Sequence, residues 1–222
     1  VRQRIKSAYL ENKKVQIGIG IVCLLGFILS LVGWFSIDLL AVQIALFPFA
    51  VSVSQFSLTP IFRASGSYKY YSDFLLVYNP NQTTYDLHLG SSFDYALHMK
   101  WSDRGIVARK KLLAGMLTGL MRIIDDGEKG ILPGTLVITG TSYFFSDSSV
   151  KRFGFQLTEP TAAYRTNLIL NFVDLYWMSV FTSGSWRFPK LNKAKKAEIT
   201  LEALIAQKSK IEQLNQKLLF TT

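Results

Sequence analysis

The chain has a single cysteine, Cys23, among its 222 residues. It sits inside an apolar run with no partner thiol, so no internal disulfide can form. The rest of the chain is free of cysteine, which fits a reducing compartment. Also missing are the glycine-rich loops of P-loop and Rossmann nucleotide sites and the GxSxG turn that presents a catalytic serine. There is no internal repeat and no low-complexity tract. No nucleic-acid-binding motif accompanies the formal net charge of +10, so nucleic acid is not an expected partner.

What the chain does have is apolar length. Residues 16–35 read QIGIGIVCLLGFILSLVGWF, without a charge. At the helical rise such a run matches the hydrocarbon core of a bilayer, about 30 Å. Trp34 and Phe35 close it with the aromatic bulk that favours a membrane–water boundary. GWFSID offers no small-residue cleavage site, so a retained helix is expected rather than a removed signal peptide.

The next run, IDLLAVQIALFPFAVSVSQF at residues 37–56, carries Asp38, Gln43 and Pro48. Proline is tolerated in membrane helices where neighbours re-satisfy the backbone. The two runs predict a helical hairpin over residues 16–58 with a tight turn near 33–38. The alternative is one span followed by an interfacial or core segment. Gly18, Gly20 and Gly26 in the first run permit close helix packing.

Charge orients the hairpin. Residues 1–15 carry five basic side chains against Glu11, a net +4, and residues 63–222 carry a net +7. Two spans put both basic segments on one side, which the positive-inside rule makes the cytoplasm. The expectation is a multi-pass inner-membrane protein with both termini cytoplasmic. Anionic lipid headgroups and other integral membrane proteins are the expected partners.

Residues 66–222 then read as a cytoplasmic domain. Residues 62–71 look like a linker. FLLVY and TYDLHL form strands around the turn NPNQ. Ser102–Asp103 can cap an amphipathic helix that runs to about Asp126 and ends at Gly127. TLVITGTSYFF is a strand, a short helix follows Ser146–Asp147, and FGFQL is another strand. Residues 161–181 suggest a helix lying on the sheet or against the bilayer, because Arg165, Asn167, Asn171 and Asp174 interrupt it. KLNKAKKAEIT is a basic connector ending in a strand, and residues 201–219 form an amphipathic helix. The fold class is thus membrane-anchored α/β (α+β): an N-terminal two-helix transmembrane hairpin, then a mixed-sheet domain with packing helices and a C-terminal amphipathic helix.

Both histidines fall in YDLHLGSSFDYALHM, residues 85–99. In a strand, Asp86 and His88 share a face; in a helix, Asp94 and His98 lie one turn apart. Two imidazoles and two carboxylates could hold a metal or run acid–base chemistry, but the spacing matches no familiar ligand pattern. Ser91 or Ser92 with a histidine could be written as a nucleophile and its base. The plainer reading is a side chain bonding a nearby backbone group at a turn. No metal and no cofactor is expected.

The order amphipathic helix, strand TLVITGTSYFF, short helix SDSSVKRF and strand GFQL resembles the C-terminal half of the GNAT N-acyltransferase fold, over residues 102–158. Gly154–Phe155 match the pair that follows the family's short helix. The resemblance implies acyl-CoA at the start of the long helix, where Arg104–Gly105 stand. The glycine spacing of the family's R/Q-x-x-G-x-G/A loop is absent from DRGIVARKKLLAG. The family's general-acid tyrosine position is Val150. The function expected from all this is a non-catalytic accessory subunit of an inner-membrane complex; a divergent membrane-bound acyltransferase is the alternative.

Overall fold

The computed structural model describes residues 2–143 and 147–219. Helix α1 (Arg2–Glu11) passes through Asn12 into α2 (Lys13–Phe35). The Asn12 side chain accepts from Lys14 N at 2.9 Å, an N-cap that starts the second helix. After a turn at residues 36–39 comes α3 (Leu40–Ser65). Gln43, a polar interruption of the second run, staples that turn: its amide donates to Ile37 O at 3.0 Å, and Trp34 Nε1 donates to Gln43 O at 3.3 Å.

Helices of 23 and 26 residues are about 34 and about 39 Å long. Both are long and apolar enough to cross a membrane. Their apolar side chains are bare; Val22 is 69% exposed and Leu29 71%. Gly20 marks their close approach, since a Cβ there would stand 2.9 Å from Ile61 Cγ1. Gly18 and Gly26 face open space. Of the three glycines expected to serve helix packing, Gly20 alone serves the contact between these two helices.

The segment expected as a linker is structured. Its first residues complete α3, which ends at Gly66 in the left-handed region (φ 85°). Its last form β1 (Tyr68–Tyr70). Tyr68 is held between Phe62 and Tyr78, with ring centroids 5.1 and 5.6 Å away. Aromatic cross-strand packing thus offsets the weak strand signal of a serine- and glycine-rich sequence.

The chain continues through β2 (Leu75–Tyr78), β3 (Thr84–Leu89), α4 (Ser92–His98), a 3₁₀ turn at Trp101–Asp103, α5 (Ile106–Glu128) and β4 (Val137–Ser142). It closes with α6 (Asp147–Arg152), β5 (Gln156–Thr158), α7 (Ala162–Leu170), α8 (Phe172–Ser183), β6 (Lys195–Thr200), α9 (Leu201–Ile205) and α10 (Lys208–Leu219). Among the described residues six strands form one open mixed sheet in the order β1-β2-β3-β4-β6-β5. Of these, only β3 and β4 pair in parallel, which requires the crossover through α4 and α5. The basic connector supplies β6, which is interior and pairs with both β4 and β5.

Alternation sorts the two faces. Val77, Tyr85, Ile138 and Ile199 point into the main core against Leu117, Leu120, Ile123 and Ile124 of α5, with Leu204 and Ile211 closing it. The opposite face carries Asp86, His88 and Thr139. Phe74, Tyr95, Met99, Ala108 and Phe181 make a second cluster where α4, α5 and α8 meet.

Several boundaries shift for local reasons. α5 starts at Ile106, because the Asp103 carboxylate is committed to Lys100 N and Lys111 Nζ, each at 2.7 Å. It runs past Gly127, which is packed under Leu201; a Cβ at Gly127 would lie 2.8 Å from that side chain. The stretch 161–181 breaks at Asn171 into α7 and α8, and 201–219 breaks at residues 206–207. Phe144, Phe145 and Ser146, expected at the end of a strand and the start of a helix, lie outside the described residues.

Candidate functional site

The four residues singled out in the sequence separate into three places. His88 Nε2 lies 2.9 Å from Asp86 Oδ2, and Thr139 Oγ1 donates to Asp86 Oδ1 at 3.3 Å. This pair sits half-exposed on the open face of the sheet. His98 does not meet Asp94. Its side chain is buried, with Nδ1 2.7 Å from Asp73 Oδ2, and its ring packs edge-on against Phe74 at 5.6 Å. That short approach is oblique to the ring N–H, so it is a close polar contact rather than a well-aligned hydrogen bond. Proximity to His98 still holds the Asp73 carboxyl below its usual range, helped by Lys6. Among the described residues, no group of three or more His, Cys, Asp and Glu side chains converges on a point that could hold a metal.

Asp94 is 1% exposed and lies at the centre of a joint between the body and α3. Ser91 N and Oγ donate to it at 2.7 and 3.0 Å, closing a capping box at the start of α4. Tyr70 Oη lies 3.0 Å from both carboxylate oxygens. Thr59 Oγ1 lies 3.1 Å from Ser91 Oγ, bringing α3 into the network. The Arg63 guanidinium stacks over the Tyr70 ring at 4.2 Å and the Tyr9 ring at 5.4 Å. Burial pushes the Asp94 carboxyl upward, and the bonds from Ser91 and Tyr70 pull it back. Burial, reinforced by Asp94, drives the Tyr70 phenol far above its ordinary range. Gly90 leaves room for this packing, since a Cβ there would stand 2.9 Å from Asp94 Cβ.

On the other side of α4 a cavity of about 340 Å³ opens between three helices. Ser52, Val53 and Phe56 of α3, Ser92 and Ala96 of α4, and Asp174 and Trp177 of α8 line it. The volume falls within the range of ligand pockets. The Asp174 carboxylate accepts hydrogen bonds from Ser92 Oγ and from Trp177 Nε1, the latter at 3.2 Å. Trp177 Nε1 also lies 2.9 Å from Ser92 Oγ. Burial raises the Asp174 pKa to about 6, and the Trp177 bond opposes the rise. Such a carboxyl can exchange a proton near neutral pH. Both imidazoles are engaged with other carboxylates, so Ser92 gains no histidine base there. Beside the pocket Gln55 donates to Asn171 Oδ1, tying α3 to the break between α7 and α8.

Arg104 and Gly105 stand at the start of α5, where the C-terminal end of α8 meets them. Gly105 N donates to Phe181 O at 2.8 Å, Arg104 Nη2 to Gly184 O at 3.2 Å, and Arg109 Nε to Thr182 O at 2.9 Å. Carbonyls of α8 and of Gly184 therefore take one donor each from Gly105, Arg104 and Arg109 at this helix start. Val150 is buried in α6.

No family model, curated protein or solved structure matches the chain.

Sequence reasoning reached Asp94 for its spacing to His98, and Asp174 only as an interruption of an apolar helix. It missed Tyr9, Arg63 and Tyr70. The one available signal was Arg63 itself, a lone charge just after a long apolar run and five residues before an aromatic cluster.

Proposed function

We propose that this chain is a membrane-anchored accessory subunit of an inner-membrane protein complex, with its α/β body in the cytoplasm binding partner proteins. One observation carries the reading: a hairpin whose apolar surface is bare is mounted on a folded body through the buried Asp94 joint. Bare apolar area of this extent demands lipid or protein around it. The mounting joins α1 as well, with Tyr9 against Phe93 at 5.5 Å and Lys6 3.5 Å from Asp73. The basic N-terminus and the body thus share one end of the hairpin, which supports placing both in the cytoplasm. Gly18 and Gly26 leave open strips along α2 where another helix can approach closely. The test is purification from native membranes in mild detergent. Stoichiometric co-purification with other membrane proteins is expected; migration as a lone monomer at native expression level contradicts the reading.

A second reading, a divergent GNAT-like acyltransferase, draws on the order α5, β4, α6, β5 and the parallel β3–β4 pair. The engagement of Gly105 N by Phe181 O and the valine at position 150 weigh against it. Calorimetry of the detergent-solubilised chain with acyl-CoA decides. Binding that weakens in Arg104→Ala favours the enzyme, and no heat at millimolar ligand removes it.

A further inference from the structure

The contacts of α4 descend α3. Ser91 meets Thr59, Phe93 packs on Phe56 with ring centroids 5.3 Å apart, and Ala96 shares the pocket with Ser52 and Val53. α4 therefore runs back along α3 toward its more apolar half. α8 accompanies it in the same direction: Asp174 and Trp177 meet Ser92, then Trp177 and Phe181 flank Tyr95 at 5.7 and 6.2 Å. The C-terminal ends of both helices, and the segments leaving them, face down the hairpin. They are tied together where Gly105 and Gly184 meet, so close that a Cβ on Gly184 would lie 3.2 Å from Gly105 Cα.

On this rim several large side chains lie bare. Trp101 is 74% exposed, Trp186 76% and Ile106 65%. Arg104 and Arg187 stand among them. Phe188 lies off this rim, stacked on Phe172 and Tyr176 near the start of α8 at 6.0 and 5.0 Å. Arg104 lies 5.9 Å from the Trp101 ring. Tryptophan concentrates at the headgroup level of membranes, and guanidinium groups pair with lipid phosphates. We propose that this rim is a second membrane contact, in which Trp101, Ile106 and Trp186 enter the headgroup layer of an anionic leaflet while Arg104 and Arg187 bind its phosphates. The assignment rests on the reading of α2 and α3 as spanning helices. That geometry sets the rim beside the bilayer, and the positive charge matches an anionic surface. The rim clamps the body to the leaflet beside the hairpin, instead of leaving it to swing on its joint.

Site-directed spin labelling of the full chain, reconstituted in phosphatidylcholine vesicles with or without phosphatidylglycerol, tests this. Labels go at Trp186→Cys or Trp101→Cys on a Cys23→Ser background, and a third at Leu29→Cys reports the hairpin. In phosphatidylglycerol vesicles the rim labels should be several-fold more accessible to oxygen than to a water-soluble nickel chelate. That preference should fall when the anionic lipid is omitted, and in an Arg104→Glu, Arg187→Glu double variant. Quenching of tryptophan emission by brominated lipid supplies a measurement without cysteine variants, and it should weaken in Trp186→Phe. Rim labels that stay in water while the Leu29 label lies in the acyl core overturn the proposal and leave the face to a soluble protein partner. Immersion unaffected by lipid charge and by the double variant overturns the phosphate contact. A Leu29 label in water would instead remove the spanning reading beneath it.

Discussion

Asp174 illustrates how one residue's surroundings set its chemistry. Its carboxyl, lodged between Ser92 and Trp177, titrates at about 6 against 3.8 when free. The folded chain thus holds a proton that the unfolded chain releases at the same pH. The residue's destabilising contribution is complete above the folded value and vanishes as pH falls toward the unfolded one. Thermal unfolding in detergent should therefore show higher stability at about pH 5 than at about pH 7.5, with Asp174→Asn flattening the difference by about 1.4 kcal/mol. Burial moves Asp94 in the same direction, so some slope persists in the variant. Asp73, held low by His98, acts oppositely and only at more acidic pH. No periodicity in the sequence separates these three aspartates. Their differences come from partners on distant elements: Tyr70 for Asp94, Ser92 for Asp174 and Lys6 for Asp73.

At the scale of elements, one small residue sets how closely the hairpin packs away from its turn. Gly20 stands against Ile61 of α3, while Gly26 faces open space. Gly20→Ile should splay the pair and lower the melting temperature of the detergent-solubilised protein, because a large side chain in a packed contact costs about 1–3 kcal/mol. Gly26→Ile should leave that temperature unchanged and, if another subunit's helix packs there, weaken co-purification instead. Strands β2 and β3, helix α5 and the short helix α6 were legible from alternation, helical spacing and flanking breakers. β1 was not, since Tyr68 and Tyr70 sit among serine and glycine and gain their order from Tyr78 and Asp94. Asn171 read as a polar interruption; in the fold it ends α7 and accepts from Gln55.

At the scale of the whole molecule, the joint around Asp94 makes the N-terminal helix, the hairpin and the body one assembly. Tyr9 is fully buried there, so α1 is docked on the body at that residue. Single-cysteine labelling in sealed membrane vesicles should place positions beside Tyr9 and Gln207 in the same compartment. Labels in opposite compartments would mean a single crossing, and the subunit assignment would fall with it.

The sequence by itself determined the two long apolar helices, the mixed α/β body and most of its elements. These follow from local periodicity, run length and turn residues, which are properties of neighbours along the chain. Only the tertiary structure decided that β6 lies inside the sheet, that His98 and Asp94 part company, and that Arg63, Tyr70 and Asp94 form the joint. Those outcomes depend on which distant groups share a desolvated space. A buried charge or hydroxyl takes whichever partner the packing brings within reach, and separation along the chain carries no record of that choice.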